Sequence, residues 1–461
     1  MKTSIQLLNK LYQDHFLKNN GQVKDHFSFL EQYLVEHNCT FKGIVMPTLL
    51  KPNFISQKQS ALLKDYVERM SRALTKFIAL YLSEDRIREI MGFSDKEDML
   101  FQIDPGYENP LVVSRLDAFL NEHSIKFLEF NCDSPAGIAY SDIQEDGFRE
   151  LLGIYPFLKK YSIEYINRQH MLLSSLLDCY AEFRISHKHL PEKPVVAIVD
   201  WADVSTYSEF ELHQKYFIEK GIETIITTPQ EFSIRNGKAL AGGQEVHLIY
   251  KRVITRELVE HWEEVGNFIE AVRDGLVCCC NSFRSFIVGN KKVLSVITDQ
   301  RFNFIFSESE KQLIKDTIPW TRILSDSKVK FQGKEVGLRS FVPENKDLLV
   351  LKPSNKYGGK DVYIGQETSQ SVWEEIMNEH IDDSIWVVQE YVDIPTDLYP
   401  EISDTVSFKK KYVNINPFAL NGKYSGTITR VSDSQVINVS AGGGLVPTLT
   451  ATLLDADHDK S

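Results

Sequence analysis

Two hydrophobic periodicities divide the chain. Over residues 56–82 the apolar side chains Ala61, Leu62, Tyr66, Met70, Ala73, Leu74, Phe77 and Tyr81 fall close to a helical stripe. Ser56 with Gln59 three residues on makes a capping box that sets the start of this helix. Ser83-Glu84-Asp85 marks its end, and a shorter helix is expected over Asp85–Met91. Residues 1–100 therefore read as mostly helical. Between residues 115 and 137 the period drops to two on both sides of the polar turn Asn121-Glu122-His123-Ser124, which predicts a β-hairpin. Helices are expected over residues 144–157 and 161–187.

After Pro191 strands and helices alternate. Residues 195–199 (VVAIV) and 222–227 read as strands around a helix at 209–221 that Gly221 stops. Asn236-Gly237 predicts a type I′ hairpin turn, and 246–250 is a further strand. This pattern predicts a small parallel sheet, whose ligands gather at the carboxyl ends of its strands. Tyr250, Lys251 and Arg252 stand at such an end and are substrate candidates, with a solvated basic strand end as the equal alternative. Asn290-Lys291-Lys292 opens a helix, and residues 318–321 end another. Strands are expected at 348–352, 361–364, 386–392, 427–430 and 437–439, with a loose polar tail at the end. The reading divides the chain into 1–100, 101–190, 191–290 and 291–461.

Composition narrows the class. The 461 residues, 43% hydrophobic and 25% charged, suit a globular protein of about three domains. The net charge of −12 argues against a broad nucleic-acid or anionic-membrane surface, so no nucleic acid and no membrane are expected as partners. The opening MKTSIQLLNKLYQDHF is too polar for a signal peptide, and no apolar run nears the ~20 residues of a bilayer span. Cys39, Cys132, Cys179 and the run Cys278-Cys279-Cys280 contain no C-x-x-C pair, so they read as buried thiols in a reducing cytoplasm.

The hairpin carries the first candidate chemistry. Asp117, Glu129 and Asn131 would offer three oxygen ligands from neighbouring strands, a set suited to Mg²⁺. Taken alone, an E-x-N is far more often the polar face of a hairpin. A phosphate site elsewhere changes that balance. Lys352 ends a strand and is followed by a loop holding Gly358-Gly359, whose backbone amides can meet an anion. The loop lies between two strands, unlike a Walker loop. Gln389 and Glu390 end a buried strand whose backbone, with Glu390, could read an adenine edge. Arg430 is a candidate for neutralising a transferring phosphoryl group, and Asn438 for a metal or phosphate contact.

In this cyclic order the motifs resemble the ATP-grasp superfamily in a circularly permuted form. The usual order runs from phosphate lysine and Gly-rich loop through hinge Glu, Arg, Asn and Gly-Gly to R-x-D-x-F and E-x-N. Here Arg115-x-Asp117-x-Phe119 and Glu129-x-Asn131 come first, and they are similar to the same elements of D-alanine–D-alanine ligases. The IYKR strand resembles that of permuted ATP-grasp proteins and of the synthetase half of glutathionylspermidine synthases. The resemblance spans roughly residues 100–450 and implies an α/β (α+β) fold: a permuted ATP-grasp with a helical N-terminal region and a pre-ATP-grasp parallel sheet.

It further implies an ATP-dependent, ADP-forming ligase that joins a small-molecule or peptide carboxylate to an amine, with ATP and Mg²⁺ as cofactors. Lys291 and Lys352 would hold the α/β-phosphates, Gly358 and Gly359 would form a lid, and Gln389, Glu390 and Val392 would meet the adenine. Arg115 and Arg430 would act catalytically, while Ser134 and Gly137 would shape the acceptor pocket. Asp397 stands where many relatives carry a ribose-binding Glu. The alternatives are a nucleotide-binding regulator or scaffold without turnover, and a phosphotransferase. Substrate identity and oligomeric state stay open.

Overall fold

A computed structural model describes residues 4–356, 358–437 and 443–454, and it is organised around an eight-stranded sheet. Its strands run in the order Asn53–Ile55, Gly444–Leu453, Lys423–Ser432, Val406–Leu420, Val113–Leu120, Ile125–Asn131. Thr396–Ile402 pairs beside Val406–Leu420, and Tyr161–Glu164 beside Gly444–Leu453. The expected hairpin is there, closed by Asn121 N donating to Ser124 O. It lies antiparallel to Val406–Leu420, with Ala118 opposite Ile415 and Arg115 opposite Phe418. Early and late segments of the chain thus share one sheet.

Helix Gln57–Ser83 lies on this sheet. Ser56 caps it through the expected capping box with Gln59. Its apolar stripe, including Met70, Leu74 and Phe77, packs in one core with Ile415 and Ala419 of the sheet. A second sheet is fully parallel: Cys278–Cys280, Leu248–Lys251, Val196–Val199 and Thr224–Thr227. Cys278 and Cys280 face one core and Cys279 the other, as strand alternation requires. All six cysteines are buried thiols. A third, antiparallel sheet holds Thr321–Ile323, Trp386–Glu390, Leu349–Pro353 and Tyr363–Ile364.

Asn236 and Gly237 take the positive φ values, 53° and 71°, that a type I′ turn needs. Elsewhere the structure departs from the sequence reading. The helix expected from residue 144 begins at Ile138, just after Gly137 in a left-handed conformation. Residues 161–164 form an edge strand instead of a helix, because the last strand of the large sheet offers Tyr161 and Ile163 a ladder. The helix follows at Arg168–Ser186, capped by Asn167. Ile437 belongs to no strand, and the rest of the strand expected there lies outside the described residues. Among the described residues no helix is long and apolar enough to cross a membrane.

Candidate active site

The hairpin places its polar residues as cross-strand pairs. Asp117 lies opposite Glu129, and Arg115 opposite Asn131. Beyond the first pair the ladder steps from Glu129 to Phe127, which leaves Leu128 as a bulge. The bulge gives the Leu128 carbonyl a new partner: Lys352 Nζ donates to it at 3.0 Å. Lys352 also donates to Gln389 Oε1 at 2.8 Å, and Gln389 Nε2 donates to Thr321 Oγ1 at 2.9 Å. A local irregularity in the large sheet thereby docks the Lys352 strand of the third sheet.

Charges converge on the same spot. Asp117 accepts Arg115 Nε at 2.9 Å on one oxygen and Arg430 at 2.8 Å on the other. Arg115 also donates to Ala136 O at 2.8 Å, so one guanidinium links the carboxylates to the loop beyond them. Glu129 pairs with Lys291 at 2.9 Å and, with 24% of its side chain exposed against 5% for Asp117, is the more open carboxylate. Burial pushes the Glu129 carboxyl up, but Lys291, Lys352 and Arg430 outweigh it and hold it at about 2. Burial brings the Lys352 ammonium down to about 7, opposed by Glu129 and assisted by Lys291.

These groups line one cleft of about 430 Å³. From the hairpin and its following loop it receives Arg115, Asp117, Glu129, Asn131 and Ser134. The third sheet and its loop contribute Lys352, Gly358, Gly359, Gln389, Glu390 and Val392. Lys291 and Arg430 complete the set.

Other sequence candidates stand elsewhere. Asp397 is turned toward the N-terminal region, where its carboxylate pairs with Lys51 at 2.5 Å and meets Asn9 at 3.5 Å. Tyr250, Lys251 and Arg252 are buried and support the cleft from behind. Lys251 pairs with Asp133 at 2.5 Å, Arg252 donates to Pro135 O, and Ser134 Oγ donates to Arg252 O. The strand end is covered by the loop at residues 133–136, so its cations are spent on that loop. Gly137 likewise serves the fold. Its φ is +113°, and its amide donates at 2.7 Å to Glu209, which caps the helix Ile138–Gly153. Asn438 lies outside the described residues.

Several residues that shape the site gave no signal in sequence. Asn281 binds Val113 O at 2.6 Å and Cys132 O at 2.8 Å, which ties the parallel sheet to both hairpin strands. Asp133 and Glu209 are buried acids whose partners lie far along the chain. Phe41 and Ile254 line the cleft from two further segments, and Tyr391 donates to Gln435 at 3.1 Å.

Asp117, Glu129 and the Asn131 amide form a hard-oxygen donor set suited to Mg²⁺, which keeps other positions for water and phosphate. Among the described residues no three His, Cys, Asp or Glu side chains gather as a metal site, so a metal here would need the amide and a bound ligand to complete its shell.

No family model matches the sequence, and no curated protein matches it. Solved structures do. A glutathione synthetase-like effector from Globodera pallida, in its apo form, aligns over 98% of this chain and 98% of its own, at 11% identity and a TM-score of 0.61. A putative gamma-glutamylcysteine synthetase from Methylobacillus flagellatus KT aligns over 88% of this chain and 90% of its own, at 9% identity and a TM-score of 0.41, too distant to argue from. The likeness to the effector is one of fold: both are mixed α/β chains that align over nearly their whole lengths.

Proposed function

We propose that the protein is an ATP-dependent, ADP-forming carboxylate–amine ligase built on a circularly permuted ATP-grasp. One observation carries the reading. Segments at residues 115–131 and 291–430, adjacent in the usual motif order and distant in this chain, line a single cleft with carboxylates and phosphate-binding cations in contact.

Asp117, Glu129 and Asn131 would hold a magnesium ion, which when bound supplies charge neutralisation at the terminal phosphates. Lys291 and Lys352 bind the α/β-phosphates as point charges, and the Gly358-Gly359 backbone closes over them. Glu390, at the end of the inner strand Trp386–Glu390, and Val392 beyond it meet the adenine. Arg115 and Arg430 stabilise the equatorial oxygens of the transferring phosphoryl group. A substrate carboxylate oxygen attacks the γ-phosphorus, the bond to the β–γ bridging oxygen breaks, and ADP leaves with that electron pair. An amine then attacks the acyl carbon, phosphate leaves, and the amine loses a proton. The cleft must exclude water, which would hydrolyse the acyl phosphate.

A nucleotide-binding protein without turnover is the second reading, favoured by the engagement of both Asp117 oxygens by arginine. The test is ADP formation by purified protein with Mg²⁺ and ATP across panels of carboxylates and amines. Amine-dependent ADP release supports the ligase. ADP release without amine indicates a phosphotransferase, and nucleotide binding without any release indicates the scaffold.

A further inference from the structure

The cleft has two chemically different ends. Lys291, Lys352 and Arg430 crowd one of them. Phe41, Pro135, Ala136 and Ile254 line the other, toward the parallel sheet. Phe41 arrives on the small hairpin Thr40–Phe41 and Ile44–Val45. That hairpin is anchored beside the parallel sheet by Lys42 N donating to Ser205 O at 3.1 Å and Ser208 Oγ donating to Thr40 O at 2.6 Å. Ile254 precedes helix Thr255–Glu260, whose Thr255 amide donates to Asp133 at 2.6 Å. Both side chains are half-buried, packed on a core behind and open to the cleft in front.

The side chains of Asp133, Ser134 and Arg115 at this end already have partners. Asp133 accepts Lys251 at 2.5 Å and the Thr255 hydroxyl at 2.8 Å. Ser134 donates to Arg252 O, Arg252 donates to Pro135 O, and Arg115 donates to Ala136 O. Lys42 is exposed, with Nζ 5.6 Å from the centroid of the Phe41 ring, where its ammonium stays hydrated. A second carboxylate or an ammonium group on the substrate would lose its water here and gain no partner. An apolar group gains by leaving water. Arg115 stands between the two ends, donating to Asp117 and to Ala136 O, and so fixes where a substrate carboxylate meets the phosphoryl group.

We infer that the carboxylate substrate has an apolar body, aliphatic or aromatic, and that Phe41 and Ile254 set this specificity. The inference rests on the ligase reading of the cleft and adds the substrate class. It sets this chain apart from a site built for a zwitterionic glutamyl group.

The experiment uses full-length protein with Mg²⁺. Calorimetry with a non-hydrolysable ATP analogue present measures binding of hexanoate, phenylacetate and a γ-glutamyl dipeptide. ADP formation and hydroxamate trapping with hydroxylamine are then followed with ATP. The expected result is that the two apolar acids bind and are turned over with at least about tenfold higher kcat/KM than the dipeptide. Phe41→Ala raises KM for phenylacetate about tenfold with a smaller change in kcat, and Phe41→Leu restores most of the loss. Ile254→Ala is the independent check from a second segment of the lining and is expected to raise the KM for hexanoate and phenylacetate likewise. Preference for the dipeptide, or no binding of apolar acids, overturns the inference and leaves the ligase reading standing. Binding of apolar acids that Phe41→Ala and Ile254→Ala weaken, without ADP from any carboxylate, supports the site and removes the ligase.

Discussion

Replacing Lys352 by Met is expected to give a protein at least as stable at pH 7 that binds nucleotide poorly. In the folded chain burial lowers this ammonium to about 7 from its ordinary 10.5. Between those values the unfolded chain binds a proton that the folded chain does not, so wild-type stability rises with pH across that window. The penalty is fully present below pH ~7 and gone above ~10.5. At about 1.4 kcal/mol per pH unit it amounts to about 4 kcal/mol at pH 7. Met removes it but leaves Leu128 O and Gln389 Oε1 without their donor. Each stranded acceptor costs about 1–2 kcal/mol, so the net change at pH 7 is a gain of about 0–2 kcal/mol. Urea unfolding followed by tryptophan fluorescence reports on this region, since Trp386 lies opposite Pro353 in the same sheet. By pH 9 the wild type recovers roughly 2 kcal/mol relative to the variant. A stability difference equal at the two pH values would refute the argument. Nucleotide phosphates should restore the charge, so binding at pH 7 takes up about half a proton, seen by calorimetry in two buffers of different ionisation enthalpy. Uptake that persists in Lys352→Met would assign the proton elsewhere.

Asp117→Asn and Glu129→Gln should each lower turnover by about 10²-fold or more in a coupled ADP assay while the far-ultraviolet circular dichroism is retained. Near-wild-type activity of Glu129→Gln at ordinary Mg²⁺ would remove that residue from the metal set. Glu209→Ala strips the cap from helix Ile138–Gly153 and strands the buried Arg252, at a cost of about 3 kcal/mol read as a fall in the urea midpoint. An unchanged midpoint would mean that Glu209 is incidental. Chromatography of the nucleotides should find ADP and phosphate, because Arg115, Arg430 and the carboxylates cluster at one point of the cleft, and stoichiometric AMP would contradict it.

Local rules carried much of the fold from sequence. The Ser56–Gln59 box and the Asn236-Gly237 turn depend on neighbours within four residues, and both are in place. The hairpin at residues 113–131 and the parallel sheet rest on strand periodicity and hold equally well. What failed depends on distant partners. Asp397 sits at the expected offset from Glu390, but pairing of Thr396–Ile402 with Val406–Leu420 turns its carboxylate toward Lys51. Tyr161 begins a pattern that suits a helix until the last strand supplies a ladder. Lys251 and Arg252 stand at a strand end as expected, and only the loop at residues 133–136, contributed from over a hundred positions earlier, shows that they are covered. Phe41 carries no motif and reaches the cleft through an anchor on Ser205 and Ser208.

The charge of the cleft floor bears on what can enter it. With Lys352 protonated, four cations (Arg115, Lys291, Lys352, Arg430) meet two carboxylates (Asp117, Glu129), a surplus of 4 − 2 = +2 within a chain of net charge −12. A nucleoside triphosphate with one divalent cation carries about two negative charges and cancels that surplus. The pairing pattern matters as much as the sum. The arginines and lysines that phosphates would occupy now hold the carboxylates that a metal would occupy. A metal alone would have to displace those cations and leave them facing one another in a site that screens charge poorly. A nucleotide alone would draw the cations away and leave Asp117 and Glu129 unpaired beside its own phosphates. Entering together, each ligand accepts the partners that the other releases, and the floor goes from its surplus of positive charge to neutral without leaving a group unpaired. On the ligase reading the same exchange would account for Lys352, whose ammonium burial brings down to about 7: its full charge would be needed only once the phosphates arrive.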